Sequence, residues 1–264
     1  MTRYEHLTRE AEDKRLPFGM ADRDPFAFHP LLEHLRSVTD LHEQDLQLLV
    51  EACGTPRTVS AHVDIVEEGS APEHLHIILN GWASRCRTLP DGRRQFPGVL
   101  VPGDFCDLDA LFMGSIQYGV RTLSACTVVT IPHSRMRATL DASPTLRAGF
   151  LQLLCLENAL LIEAAVGLGR RSTLERMAHF FCELWTRLAT IGQALDHCFP
   201  LPLTQEELGD TIGSSAVHIN RTIQQLKRMG LIELGRDGVV IRDWAALRDL
   251  GGFEPDYLGA RTAL

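Results

Sequence analysis

The sequence predicts an α+β chain in three parts: a small antiparallel β-barrel, a long apolar helix and a winged helix-turn-helix. Three observations carry this. Short alternating segments separated by turn residues run from about 56 to 133. A helical period then starts at Ser143-Pro144 and continues for about 25 residues. Between 204 and 242 two capped helical patterns meet at a glycine, and an alternating segment folded on Asp237-Gly238 follows them.

At 264 residues the chain is long enough for two domains. Residues 1–28 read as a polar N-terminal extension, with packing able to start near Phe26. The barrel domain spans 29–142 and opens with two short helical patterns, at about 29–37 and 42–53. Asp91-Gly92, between two extended runs, is the strongest hairpin signal in the sequence. Strands this short and regular suit a small barrel or sandwich.

The long helix covers 143–168, with Ser143 as N-cap and Pro144 at the first helical position. Leu151, Leu154, Asn158, Leu161, Ala165 and Leu168 form a 3-4 repeat along it. Such a helix is a core element or the seam of a parallel dimer, in which Asn158 would fix register. The seam is the preferred reading. Gly167 and Gly169 interrupt the helix as a hinge or a plain C-cap, and Ser172 with Glu175 restarts it as a capping box. The third domain covers 169–250, and 251–264 is a tail.

Composition excludes several classes. Hydrophobic residues are 45% and charged residues 23%, ordinary for a globular chain. No uninterrupted run reaches the roughly 18 apolar residues of a membrane span, and the charged N-terminus is no secretory signal. A cytoplasmic protein without membrane contact is expected. Seven scattered cysteines without a C-x-x-C pair argue against a disulfide framework and a zinc ribbon. No phosphate loop, H-E-x-x-H or nucleophile elbow occurs, so no enzyme is expected.

The net charge of −8 hides a basic segment: residues 213–242 carry five positive and two negative side chains, a local net of +3. This segment holds the second capped helix. The first begins at Thr204, with Glu207 completing a capping box, and contains Gly209, a residue suited to close approach by another backbone. Gly213 ends it and Ser214 caps the next. On that next helix Ile219, Ile223 and Leu226 face Leu208 and Ile212, while Ser214, His218, Arg221, Gln225 and Arg228 share the opposite face. A second helix so built enters the DNA major groove. Arg221 can bond a guanine bidentately, Ser214 and His218 reach bases or phosphates, and Ala216 and Val217 meet thymine methyls. Lys227 and Arg228, with Arg236 on the wing, suit phosphates. The candidate DNA-contacting set is Thr204, Ser214, Ser215, Ala216, Val217, His218, Asn220, Arg221, Gln225, Lys227, Arg228 and Arg236.

The order of parts over roughly 29–245 resembles the Crp/Fnr family of bacterial transcription regulators. The likeness is strongest in "LTQEELGDTIGSSAVHINRTIQQLKRMGLIEL". There the pattern E-[IL]-G-x-x-[IV]-G-x-S-x-x-x-[IV]-x-R falls on Glu207, Leu208, Gly209, Ile212, Gly213, Ser215, Ile219 and Arg221. "PGDF", Pro102 to Phe105, matches a second family motif. The resemblance implies a cyclic-nucleotide-binding-like sensor barrel and a homodimer that binds a two-fold site on double-stranded DNA, in some members touching RNA polymerase.

Three departures from the family pattern matter. Members that bind cyclic AMP follow "GDF" with Gly-Glu and later an Arg-Ser or Arg-Thr pair. This chain has Asp107-Leu108 and Tyr118-Gly119, with Asp109 near and Arg121 three positions beyond Tyr118. Asp107, Leu108, Asp109, Tyr118 and Arg121 are thus the candidate effector pocket, and cyclic AMP is not expected in it. No cysteine precedes Cys53, so an N-terminal iron–sulfur cluster is not expected either. The effector is otherwise unknown. A haem could be held by one of eleven histidines, and His74 with His76 on one strand face could chelate a metal. Finally, Ala216 and Val217 stand where relatives carry Arg and Glu, so the family's usual operator does not carry over. Two alternatives stay open: a ligand-, haem- or metal-gated sensor of the same architecture, and a regulatory scaffold that does not bind DNA.

Overall fold

The computed structural model describes residues 25–235 and 238–259. Most of the expected N-terminal extension, residues 1–24, therefore lies outside the described residues. From Pro25 the chain is packed: Pro25–Phe28 is a 3-10 turn, and Phe28 is only 1% exposed. The first domain thus starts a few residues before the expected boundary at 29.

Two helices follow, α1 (His29–Val38) and α2 (Glu43–Ala52). Leu31 and Leu35 of α1 and Leu46 and Leu49 of α2 fall at helical spacing and are buried together. Asp45 stabilises the start of α2 by accepting the His42 backbone N–H at 3.1 Å.

Seven strands come next: β1 (Arg57–Val59), β2 (Asp64–Val66), β3 (His74–Asn80), β4 (Ala83–Thr88), β5 (Arg94–Leu100), β6 (Gly119–Thr122) and β7 (Cys126–Pro132). They build the expected small antiparallel unit from two sheets, ordered β1-β7-β3 and β2-β6-β4-β5. The sheets share one apolar interior, with Ile78 and Val128 from one and Leu100 and Val120 from the other. The β4–β5 hairpin turns where Asp91-Gly92 marked it, with Gly92 at φ 84°.

Helix α3 (His133–Ala142) has no counterpart in the sequence reading. Helix α4 (Pro144–Arg170) starts as expected: the Ser143 hydroxyl accepts the Leu146 N–H at 3.0 Å and donates to Asp45 of α2. It does not stop at its glycines. Gly167 is buried, and Arg176 of the next helix donates to the carbonyls of Gly167 (3.5 Å) and Arg171 (2.7 Å). These bonds satisfy the terminal carbonyls of an unbroken helix. The break falls instead at Arg171-Ser172, where Ser172 and Glu175 form the predicted capping box of α5 (Thr173–Thr190). By length and composition α4 could cross a membrane, but Glu157, Asn158 and Glu163 interrupt its apolar run.

The C-terminal unit comprises α5, β8 (Cys198–Phe199), α6 (Gln205–Ile212), α7 (Ala216–Arg228), β9 (Ile232–Gly235), β10 (Gly238–Ile241) and α8 (Trp244–Gly251). Its sheet is ordered β8-β10-β9. The stretch read as a tail belongs to this core. Phe253 and Leu258 are buried, and the Tyr257 hydroxyl lies 3.0 Å from both Glu183 and His179 of α5.

The two units meet in one continuous apolar cluster, in which Phe96 and Val99 of β5 join Phe180 and Phe181 of α5. Arg187 of α5 donates to the Val99 carbonyl (3.1 Å) and to Asp104 (2.5 Å). Arg94 pairs with Asp210 of α6 at 2.8 Å, and Gln95 donates to the Thr211 carbonyl at 3.2 Å. Replacing Ser143 by alanine removes both bonds at the start of α4. The variant is expected to lose about 1–2 kcal/mol of stability, read as a lower urea midpoint with an unchanged slope.

Candidate nucleic-acid interface and sensor site

The helix-turn-helix is built from local signals. Thr204 accepts the Glu207 N–H at 3.2 Å, and the Glu207 carboxylate accepts the Thr204 N–H at 2.8 Å, closing the capping box of α6. Gly213 ends α6 in the left-handed region, φ 70°. A Cβ on Gly209 would stand 2.6 Å from the Ser214 carbonyl oxygen, so the turn can cross α6 closely only above a glycine. The cap of α7 is Ser215 and not Ser214: its hydroxyl accepts the His218 N–H at 3.3 Å. Ile219, Ile223 and Leu226 are buried in one cluster with Leu208 and Ile212. Thr222 is buried beside them, its hydroxyl turned back to the His218 carbonyl at 2.9 Å.

The opposite face of α7 is open. Ser215, Val217, His218, Asn220, Arg221, Gln225 and Arg228 are exposed, while Ser214 and Ala216 are half-buried. Arg221 has no partner among the described residues, so its guanidinium is available. Arg228 bonds the Gln224 carbonyl (3.3 Å) and Lys227 reaches back to the Leu234 carbonyl of the wing (3.4 Å). Thr204 is spent on capping. Arg236 lies outside the described residues. On the wing, Arg242 is paired with Glu233 at 2.5 Å.

Helix α4 uses its sides differently from the repeat read in the sequence. Leu154 packs on the first domain's core, and Leu168 lies over Gly213, its Cδ2 2.5 Å from where a Cβ would stand. The open face carries Leu151 (57% exposed), Cys155, Asn158, Leu161, Ile162 (54%), Ala165, Val166 and Leu168. Of the repeat read in the sequence, only Leu154 is drawn toward the first domain's core.

Of the five candidate effector residues, the structure brings Asp109 and Tyr118 into contact and engages the other three elsewhere. Leu108 is core. Asp107 is fully buried and holds His76, accepting its backbone N–H and facing its Nδ1, each at 2.8 Å. That contact occupies one of the two histidines read as a possible chelate. The Tyr118 hydroxyl donates to Asp109, and burial pushes the Tyr118 phenol well above its usual range. Arg121 is elsewhere, paired at the surface with Asp64 at 2.9 Å. The cation beside Tyr118 is Arg85 of β4, which the sequence reading did not single out. It donates to the carbonyls of Cys106 (2.8 Å) and Phe105 (3.2 Å) and to Glu157 of α4 (2.7 Å), and it lies 5.5 Å from the Tyr118 ring centroid. Burial works against its charge, but Glu157 beside it more than compensates and raises its pKa. Burial also raises the Glu157 carboxyl, with Arg85 opposing.

Fold and interface together define a winged helix-turn-helix DNA-binding protein with an attached sensor domain. Comparison with known proteins agrees. The model of the Crp-like helix-turn-helix domain matches residues 175–250, and that of the cyclic nucleotide-binding domain matches 56–143. The nitrogen fixation regulation protein FixK of Azorhizobium caulinodans is 26% identical over 203 residues, covering 76% of this chain and 81% of the relative. The transcriptional activator protein FnrL of Cereibacter sphaeroides is also 26% identical, over 204 residues, 76% of this chain and 82% of that one. The solved structure of FixK2 from Bradyrhizobium japonicum shares the fold, with a TM-score of 0.67 and 22% identity over 74% of this chain and 96% of that one. The chain belongs to the Crp/Fnr family of transcription regulators.

Arg85→Met leaves Glu157 without its partner in a mostly buried position. Its expected cost is about 3 kcal/mol in urea unfolding. Adding Glu157→Met should return most of that loss, since the second substitution removes the stranded charge.

Proposed function

We propose that the protein acts as a homodimer which reads a two-fold DNA site through paired α7 helices, and that cyclic AMP does not control it. The observation that carries the DNA reading is Arg221, an exposed arginine without a partner among the described residues, on a helix otherwise locked in place. The capping bonds, the close turn at Gly209 and the buried Ile219, Ile223 and Leu226 hold α7 rigidly enough to present Arg221, His218 and Gln225 to base edges. Ala216 and Val217 add apolar contact where relatives place charge, so the preferred sequence differs from theirs. Ser214, Ser215, Asn220 and Arg228 serve the flanking backbone.

The second copy is the occupant of the open face of α4. Leu151, Cys155, Asn158, Ile162 and Ala165 are spaced as a parallel helix seam requires, with one polar residue at an interior position to set register. This is also why α4, apolar enough to cross a membrane, is read here as covered by protein. Against cyclic AMP stands the pocket's own bonding: Arg85 is engaged by Glu157 and two carbonyls, and Asp107 and Asp109 would repel a phosphate. A role outside enzyme catalysis agrees with the relatives, which are named as regulators.

In an electrophoretic shift with an operator recovered by genome-wide footprinting, Arg221→Ala should lose about 1–3 kcal/mol of binding and relax base preference at one position per half-site. Wild-type affinity and selectivity in that variant would remove α7 as the reading helix. Ile162→Glu should sediment as a monomer and lose cooperative binding to both half-sites. If it remains dimeric, the seam lies on another face.

A further inference from the structure

A cavity of about 310 Å³ lies between β5, α4, α5 and the end of α6. Its walls are apolar: Phe96 and Pro97 from β5, Leu156 and Leu160 from α4, Phe180 from α5 and Ile212 from α6. Gly98 opens it. This glycine sits mid-strand opposite Arg85, so a side chain there would point to the same face. A Cβ at Gly98 would meet no atom within 4 Å. A glycine in a strand interior weakens the strand and often marks close approach by another group.

The charges around the cavity decide what it can hold. Arg85 is bonded to Glu157 at 2.7 Å and Arg171 to Glu163 at 2.9 Å. Arg187 is bonded to Asp104 at 2.5 Å and lies 3.6 Å from Glu183. Arg176 donates to the carbonyls of Gly167 and Arg171, while its buried Nε has no partner among the described residues. The lining holds four arginines and four carboxylates, three of the arginines ion-paired, and so carries no net formal charge to draw in an anion. An uncharged ligand leaves these ion pairs intact.

We propose that this cavity binds a neutral, predominantly apolar small molecule. A volume near the lower end of the range for small-molecule sites suits one or two fused rings or a short branched chain. The ligand touches the sensor sheet, the long helix and the end of α6 together, next to the Gln95–Thr211 and Arg94–Asp210 contacts. Its binding therefore favours whichever arrangement of the two units closes the cavity. Only this coupling rests on the DNA-binding reading; the binding site itself does not.

The test is a fluorescence titration of the full chain with the neutral probe N-phenyl-1-naphthylamine, alongside the anionic probe 8-anilinonaphthalene-1-sulfonate and cyclic AMP. Saturable binding of the neutral probe is expected, at one per protomer, independent of salt and not displaced by cyclic AMP. Gly98→Leu should weaken it at least about tenfold while keeping the far-ultraviolet circular dichroism and unfolding midpoint. Leu160→Trp fills the same space from α4 and replaces that variant if it fails to fold. Absence of saturable binding to the wild type, equal binding to the filled variants, or tighter salt-dependent binding of the sulfonate would each overturn the proposal. A DNA shift on the same preparations keeps the two readings apart: an intact shift with no probe binding removes the cavity site alone, and the converse removes the DNA reading alone.

Discussion

Burying a guanidinium inside an apolar interface is costly unless its donors find acceptors, and the arrangement of this protein depends on how that is solved at Arg187. Reaching out of α5, Arg187 bonds the Val99 carbonyl and Asp104 of the sensor domain. Asp104 is itself fixed, accepting the Val101 N–H at 2.8 Å within the loop that carries the PGDF motif. Around this pair Phe96, Val99, Phe180 and Phe181 form one cluster. The sensor and DNA-binding units therefore share a core, and the outer face of α7 stays open because the inner surfaces are already used.

The sensor site follows the same logic on a smaller scale. Tyr118 bonds Asp109, Arg85 bonds Glu157 and Asp107 bonds His76. The fold is that of a cyclic nucleotide-binding domain, but the polar groups in this part of it answer one another. Arg85 also ties β4 to α4, so the sheet and the long helix are held together by a bond within the chain.

What could be read from the sequence was mostly what is local. Thr204 with Glu207, Ser172 with Glu175 and Ser143 with Pro144 announce helix starts, because a capping bond spans three or four residues and leaves its mark within them. Gly209 was legible for a similar reason: a glycine inside a helix invites a steric explanation, and the Ser214 carbonyl supplies it. Arg85 was not legible. In "ASRCRT" it alternates like a surface residue, and its partner Glu157 lies 72 positions away. Nor could the leucines of α4 be assigned to faces, since a helix apolar on nearly every side has no single stripe, and only docking shows that Leu154 points inward. Gly167 and Gly169 read as a break because Arg176, which bonds the Gly167 carbonyl, lies beyond the apparent end. The last described residues looked like a tail because Tyr257 meets α5 only in three dimensions.

The junction at Arg171-Ser172 is the obvious place to cut this chain and graft its DNA-binding half onto a relative's sensor. The packing argues that such a graft needs more than a matching joint. A transplanted half would carry Arg187 without the acceptors at Val99 and Asp104, and Asp210 without Arg94. It would also set Tyr257 and Leu258 against a foreign long helix. Interchange of halves within this architecture is therefore limited less by the linker than by a small set of residues on β5, α5 and the C-terminal turn, which have to be moved together.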